Sequence, residues 1–309
     1  MSKPEPPKVT KKSWLNLWLF LGGGTLVLIA VIVALMQNTW QSSPVKSLFD
    51  AADYARQNPA VYNVTIGNNN SNFQVITDGV VQHLEGTLEG AKVEAVASGK
   101  DLYIKTTTPK EFLRLFLSQS NQRQAQTHEN RIVFLDNLWM RANVDDLSTD
   151  SLASVLLQCG LGARVGISDA NDSKQSMQSN YSANQFLDVG EVVNTDDNSV
   201  VTYRIDIDRL KSFFDGLVKT DFGKEVPRCK YVADRLDFYN EGVQYKVTMS
   251  QLDNKIESIV AVKNNVEVIK ITAQYPKEKP IIQVPSEGID LKRLIDGYNN
   301  LLANPLIEE

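Results

Sequence analysis

The sequence predicts an α+β protein whose core is a curved antiparallel β-sheet with helices on its concave face, preceded by one N-terminal transmembrane helix. Three observations support this fold class. An apolar stretch near the start is long enough to cross a membrane, and short β-rich segments separated by turn residues occur in two series. Segments with helical spacing of apolar residues lie before, between and after these series.

The membrane segment is predicted at residues 14–36. Residues 17–36 carry no charge, and only residues 22–25 among them are not strongly apolar. At a rise of about 1.5 Å per residue, a helix of this length spans the hydrocarbon core. A cleaved signal peptide is the competing interpretation. This apolar core is longer than those of signal peptides, however, and Ala34 to Gln37 form no small-x-small cleavage site.

The charges around this segment predict its orientation. The tail, residues 1–13, has four lysines and one glutamate and therefore a net charge of +3, whereas the charges just after the segment balance. The excess of positive charge places the N-terminus in the cytoplasm. We therefore expect a disordered cytoplasmic tail, a single-pass anchor in the plasma membrane and an extracytoplasmic domain at residues 37–309.

The exported part of the chain is acidic. The whole chain has a formal net charge of −5, so removal of the tail's +3 leaves −8. Phosphate backbones are bound by clustered Lys and Arg, so we expect no nucleic-acid partner. Both cysteines, Cys159 and Cys229, lie on the exported side, where a disulfide persists. We expect them to be bridged, with two free buried thiols as the alternative.

The domain begins with a helix and five strands. Pro44 opens a helix that ends before Pro59 and has an apolar stripe, which we expect to pack on the domain. Asp78-Gly79 is a two-residue hairpin signal, and tight turns of this kind join only antiparallel strands. The five strands of this predicted meander are residues 61–66, 73–77, 80–88, 92–97 and 102–106.

The middle of the chain is mainly helical in its pattern. Residues 110–118 are apolar nearly all round, which predicts a buried helix or one that covers something apolar. Residues 138–144 form a predicted strand, and Ser148 or Asp150 begins a helix that reaches Cys159. The polar residues 168–184 are predicted to form an exposed excursion.

The last third repeats the opening pattern. A hairpin of residues 189–194 and 200–207 precedes a helix that Asp208 is predicted to cap. Three strands follow at residues 244–251, 255–262 and 266–273, and a closing helix begins at Leu291. The pattern favours one continuous sheet, with two smaller subdomains as the alternative.

Known catalytic patterns are absent from the sequence. The two histidines, His83 and His128, have no second ligand at metal spacing, and there is no phosphate loop or nucleophile elbow. We expect His83 to be an ordinary strand residue with a bonded ring. We therefore expect no metal, no cofactor and no enzymatic activity. An enzyme that uses Asp and Glu alone is the alternative, and it predicts a cleft with close carboxylates of unequal pKa.

The order of the elements resembles that of LolA-like and LppX/LprG-type lipid-carrier domains. The resemblance covers residues 45–285. It implies a half-open β-barrel closed by helices around an apolar cavity that shelters acyl chains. This chain has a transmembrane helix in place of a lipid anchor, which argues for a fixed receptor, sensor or handover site. The segments that carry the resemblance are residues 64–86, 102–104, 201–206, 209–219, 245–249, 256–262, 268–275 and 282–285.

The predicted function is that of a membrane-anchored, non-enzymatic domain that binds an apolar ligand, a lipid or the acyl chains of a lipoprotein. The alternative is a cell-envelope assembly or adaptor protein that acts through contacts with another envelope protein. At any one of the predicted cavity positions, an ordinary core role is the competing interpretation. These positions are Phe112, Leu115, Phe116, Phe213, Phe214, Tyr245, Val247 and Met249.

Overall fold

The structure, a computed structural model, describes residues 44–67, 71–88, 90–116, 134–143, 179–220, 223, 227–232, 234, 242–253, 255–294 and 296–297. The predicted membrane segment and the predicted helix that reaches Cys159 lie outside these residues. Within the described ranges, no helix is both long enough and apolar enough to cross a membrane.

The first five strands form the predicted antiparallel meander. Each strand pairs with the next, and alternate side chains point to one buried face. This alternation is expected for strands with one wet face. The strands are β1 (Ala60–Ile66), β2 (Ser71–Thr77), β3 (Gln82–Leu88), β4 (Ala91–Ser98) and β5 (Asp101–Thr106).

The turn between β2 and β3 is longer than predicted. Thr77 pairs with Gln82, so residues 78–81 form the turn. The prediction of a two-residue turn at Asp78-Gly79 is therefore wrong. The Asp78 carboxylate accepts hydrogen bonds from the N–H groups of Val80 and Val81, at 2.8 and 2.6 Å. Partial burial acts to raise the pKa of Asp78, but these bonds lower it below its usual value. Side-chain bonding therefore stabilises a four-residue turn.

In the described residues, three α-helices accompany the strands, namely α1 (Pro44–Gln57), α2 (Pro109–Phe116) and α3 (Ile207–Leu217), together with a short 3-10 helix at Pro227–Lys230. The first begins at Pro44, as predicted, and the second begins at Pro109, one residue before its predicted start. The prediction that Asp208 caps α3 is wrong. Asp206 is the N-cap, because its side chain accepts a hydrogen bond from the N–H of Arg209 at 3.0 Å. Asp208 instead lies in the first turn, where a negative charge is favourable to the helix dipole.

The remaining strands complete the sheet. In β9, Val247 and Met249 are buried while Lys246 is exposed, so this strand has one buried face. The strands are β6 (Met140–Asn143), β7 (Leu187–Asn194), β8 (Asn198–Ile205), β9 (Val243–Ser250), β10 (Ile256–Lys263), β11 (Val266–Gln274) and β12 (Ile289–Asp290).

The two meanders form one sheet because β1 pairs with β11, with Val64 opposite Ile271. The strand order is β12-β6-β5-β4-β3-β2-β1-β11-β10-β9-β8-β7. Neighbours are antiparallel except β12 and β6. The favoured single sheet is therefore confirmed. In the described part of the chain the sheet stays open, with β7 and β12 at its two edges.

Side chains from the helices join one face of this sheet. Leu48 and Ala51 of α1 and Leu210 of α3 belong to the same buried apolar cluster as Val64 of β1 and Val247 of β9. We call this face the helix face. The opposite face is mainly polar along β1, where Asn63 and Thr65 are exposed. Burial on one face thus orients the strands that contribute to this cluster.

Candidate functional site

The phenylalanines of α3 belong to a line of aromatic rings. The ring centroids of Phe213 and Phe214 are 5.3 Å apart, and Phe186 lies 5.1 Å from Phe213. Tyr181 lies 5.1 Å from Phe186, with nearly perpendicular planes. These separations and angles are typical of packed core rings. All four side chains are at most 2% exposed, so they fill the centre of the fold.

Residues 168–178 of the predicted exposed excursion lie outside the described part of the chain, and within residues 179–184 the prediction is wrong at Tyr181, whereas Ser182 and Ala183 are exposed. Tyr181 sits in a described helical turn and is 2% exposed. The polar residues around it concealed its role, since the prediction followed their average. A single large ring among short polar residues was the available signal, because its burial removes a large apolar area from water.

The predicted residues of α2 lie apart from this line. Phe112 is 0% exposed but is not a member of the apolar cluster that contains α1 and α3. Leu115 and Phe116 are part of the helix, and their side chains lie outside the described part of the chain. The structure therefore brings together Phe213, Phe214, Val247 and Met249, with Tyr245 against them.

Tyr245 differs from its neighbours on β9. Val247 and Met249, on the same face, are 3% and 2% exposed, whereas Tyr245 is only half-buried. Burial nevertheless raises the pKa of the Tyr245 phenol to about 12. The cause of this shift is desolvation of the phenol. Tyr245 therefore packs against the apolar cluster and keeps some accessible surface.

Tyr245 lies in a row of cross-strand neighbours on the helix face. Tyr203 of β8 is opposite Tyr245, which is opposite Ala261 of β10. Ala261 is opposite Ile269 of β11, which is opposite Ile66 of β1. We call these five residues the Tyr245 row. Tyr203 and Ala261 are buried, whereas Ile66 and Ile269 are half-buried. The side chain of Ala261 is small, whereas those of its neighbours Tyr245 and Ile269 are large. The side chains of the row therefore project least from the sheet at Ala261.

One end of the Tyr245 row contacts the start of α1. The Tyr203 hydroxyl donates a hydrogen bond of 2.8 Å to the carbonyl oxygen of Pro44. Burial raises the pKa of this phenol, so it remains a donor at neutral pH. The bond joins residues 159 positions apart and fixes where the chain enters the domain.

No protein-family model and no curated protein matches this chain. The resemblance to LolA-like and LppX/LprG-type domains therefore stays a prediction. The chemistry of the candidate site rests on its own residues.

A charged network lies on the opposite face of β3, β4 and β5. His83 Nε2 is 3.3 Å from one oxygen of Glu94, and Lys105 Nζ contacts the other. Partial burial acts to raise the pKa of Glu94, but its hydrogen bonds to Lys105 and His83 lower it. His83 is therefore a strand residue with a bonded ring, as predicted. Each of these three side chains thus has a polar partner within the network.

The described ranges contain neither a metal-binding cluster nor a free thiol. No group of three or more His, Cys, Asp or Glu side chains is arranged there to hold a metal ion. Cys229 is 1% exposed and disulfide-bonded. The one other cysteine of the chain, Cys159, lies outside the described residues. Their pairing stays a prediction, which a peptide map under non-reducing conditions tests.

Proposed function

We propose that this chain is a membrane-anchored, extracytoplasmic, non-enzymatic domain that binds an apolar ligand, a lipid or the acyl chains of a lipoprotein. Residues 14–36 are its anchor in the plasma membrane. The sheet curves around the ligand, with helices on the concave face. The binding site is the Tyr245 row.

The observation that carries this proposal is the environment of Tyr245. Tyr245 packs against the apolar cluster and keeps accessible surface, and this surface is where the proposed ligand makes contact. Half-buried Ile66 and Ile269 lie in the same row, on the far side of the small Ala261. These half-buried side chains are apolar, as the residues that line sites for small apolar ligands are.

The side chains of the row favour an aliphatic ligand. Its members are two tyrosines, two isoleucines and an alanine, none of which is charged at neutral pH. With its pKa raised to about 12, the Tyr245 phenol stays neutral as well. An acyl chain matches this uncharged, mainly apolar surface.

The position of α1 supports a ligand that comes from a membrane. The predicted anchor ends at Met36, and seven residues separate it from Pro44, at one end of the row. Seven extended residues reach about 25 Å at most. The anchor therefore keeps the Tyr245 row close to the bilayer, which is suited to taking up or delivering a lipid.

The test uses the full chain in lipid nanodiscs that contain a phospholipid with a photoreactive acyl chain. Ala261→Trp fills the centre of the row and should lower photolabelling of the domain about tenfold. Val260→Trp is the control, since this residue is next in β10 and points to the opposite face. Equal labelling of the two variants would contradict the site.

The orientation is tested separately by protease treatment of intact cells. The proposal predicts digestion of the domain at residues 37–309 and protection of the short tail. A C-terminal domain that survives and is degraded only after lysis would contradict an extracytoplasmic location.

A second candidate function is that of an envelope assembly or adaptor protein. The observation that favours it is the exposed edge strand β7, which offers a surface for another protein. A stable co-purifying protein, together with no photolabelled lipid, would favour this function over lipid binding.

A further inference from the structure

The edge strand β7 is exposed along nearly its whole length. In the described part of the chain it pairs only with β8, so the backbone groups on its outer side face away from the sheet. Each residue from Asp188 to Asn194 is exposed. Three of these are apolar, with Val189, Val192 and Val193 between 40% and 46% exposed. An edge of this kind is a template for one more strand.

The edge strand and its turn are acidic in sequence, and Arg204 of β8 is opposite Asp188. Residues 187–200 contain Asp188, Glu191, Asp196 and Asp197 and no basic residue. Arg209 lies 3.4 Å from Asp188 and compensates that carboxylate. A second copy of the chain would place the same acidic strand opposite β7, and like charges across a strand pair are destabilising. The acidic residues therefore disfavour self-pairing and favour a basic partner.

The two faces of β7 add contacts for side chains of a partner. Val192 and Val201 are neighbours across the β7–β8 pair, as are Val193 and Val200. Since successive residues of a strand point to opposite faces, Val192 and Val193 offer apolar surface on both sides. A bulge between Val189 and Val192 places Gly190 and Glu191 in the middle of this edge.

We infer that β7 binds an extended, basic segment of another protein, which adds to the sheet as a further strand. The partner segment alternates β-branched residues with Lys or Arg, and Lys or Arg lies beside Glu191. Backbone hydrogen bonds supply affinity, and the carboxylates select the sign of the partner's charge. This inference rests on the second candidate function and is independent of the Tyr245 row.

The test uses the full chain in nanodiscs and two synthetic ten-residue peptides. One alternates valine and threonine with lysine, and the other has glutamate at each lysine position. Fluorescence anisotropy should show binding of the basic peptide only. Glu191→Lys should weaken that binding roughly tenfold, because an attraction across the strand pair becomes a repulsion. Glu267→Lys is the control, since this exposed glutamate lies on β11, whose two neighbours are β1 and β10.

Hydrogen exchange locates the bound peptide. The amides of β7 should exchange more slowly when the basic peptide is present. Equal affinity for both peptides, no effect of Glu191→Lys, or unchanged exchange in β7 would each overturn the inference. A co-purifying protein that Glu191→Lys retains would also overturn it, while the adaptor function itself would stand.

Discussion

The helix face of the sheet is filled differently at its two ends. On the side of β8 and β9, large rings from α3 fill the space, and Phe213 is 0% exposed. On β4 the buried side chains are small: Val93, Ala95 and Ala97 are 4%, 6% and 7% exposed. Both ends of the face therefore exclude water. At the first end the rings of α3 supply most of the buried volume, whereas at the second other parts of the chain cover the small side chains. The difference teaches that both large and small side chains reach nearly complete burial, so burial alone does not identify a ligand site.

The largest expected effect is at the ring-filled end. Phe213→Ala removes a ring that contacts Phe186 and Phe214, and it should lower the free energy of unfolding by about 3–5 kcal/mol. Urea denaturation measures the loss. Val93→Ala is the matched change at the other end and should cost less, because it removes fewer atoms. A loss at Val93 equal to that at Phe213 would show that the two ends are packed alike.

The boundary between the two ends gives a smaller effect. A Cβ on Gly86 of β3 would lie 2.4 Å from Cβ of Phe73 and 2.3 Å from the carbonyl oxygen of Asn72. Gly86→Ala therefore forces β2 and β3 apart and should cost roughly 1–3 kcal/mol, measured by thermal unfolding. Gly297→Ala is the control, since no atom lies within 4 Å of its added Cβ. Unchanged stability of Gly86→Ala would contradict the close approach of these two strands.

The smallest effect concerns the opposite face of β4. Glu94→Gln removes the carboxylate that His83 and Lys105 contact, and it should cost less than about 1 kcal/mol at neutral pH. Because the folded-state pKa of Glu94 is lowered, this stabilisation is present above the usual glutamate pKa of about 4.3 and is lost as pH falls through the lower folded value.

Urea denaturation of both proteins at several pH values checks the sign of this effect. The difference between the wild type and Glu94→Gln should shrink as the pH is lowered below about 4. Glu257→Gln, at an exposed residue of β10, is the control. A difference that grows in acid would mean that Glu94 is protonated more easily in the folded state.

Much of the fold could be predicted because its signals are local. Pro44 and Pro109 open helices, and the alternation of Tyr245, Val247 and Met249 identifies β9 and its buried face. The errors are also local, and they occur where two nearby residues suit the same role and the sequence does not decide between them. Asp206 and Asp208 both suit a helix start, and only the hydrogen bond to Arg209 distinguishes them.

The candidate site was predicted only in part. Tyr245 was among the predicted residues, but Ile66, Ala261 and Ile269 were not, because they come from strands far apart in the chain. Their neighbourhood depends on the pairing of β1 with β11, which local patterns do not specify. Once that pairing is known, the row follows from the register.

The sequence by itself determined most of the described elements and their order, because periodicity and turn residues act over a few positions. Only the tertiary structure decided that the first and last strands of the two meanders pair, that Tyr245 is only half-buried and that β7 is an edge. These features depend on contacts between residues up to about two hundred positions apart. Whether such contacts form depends on the entropy lost when the chain between them is closed and on the packing of the side chains around them.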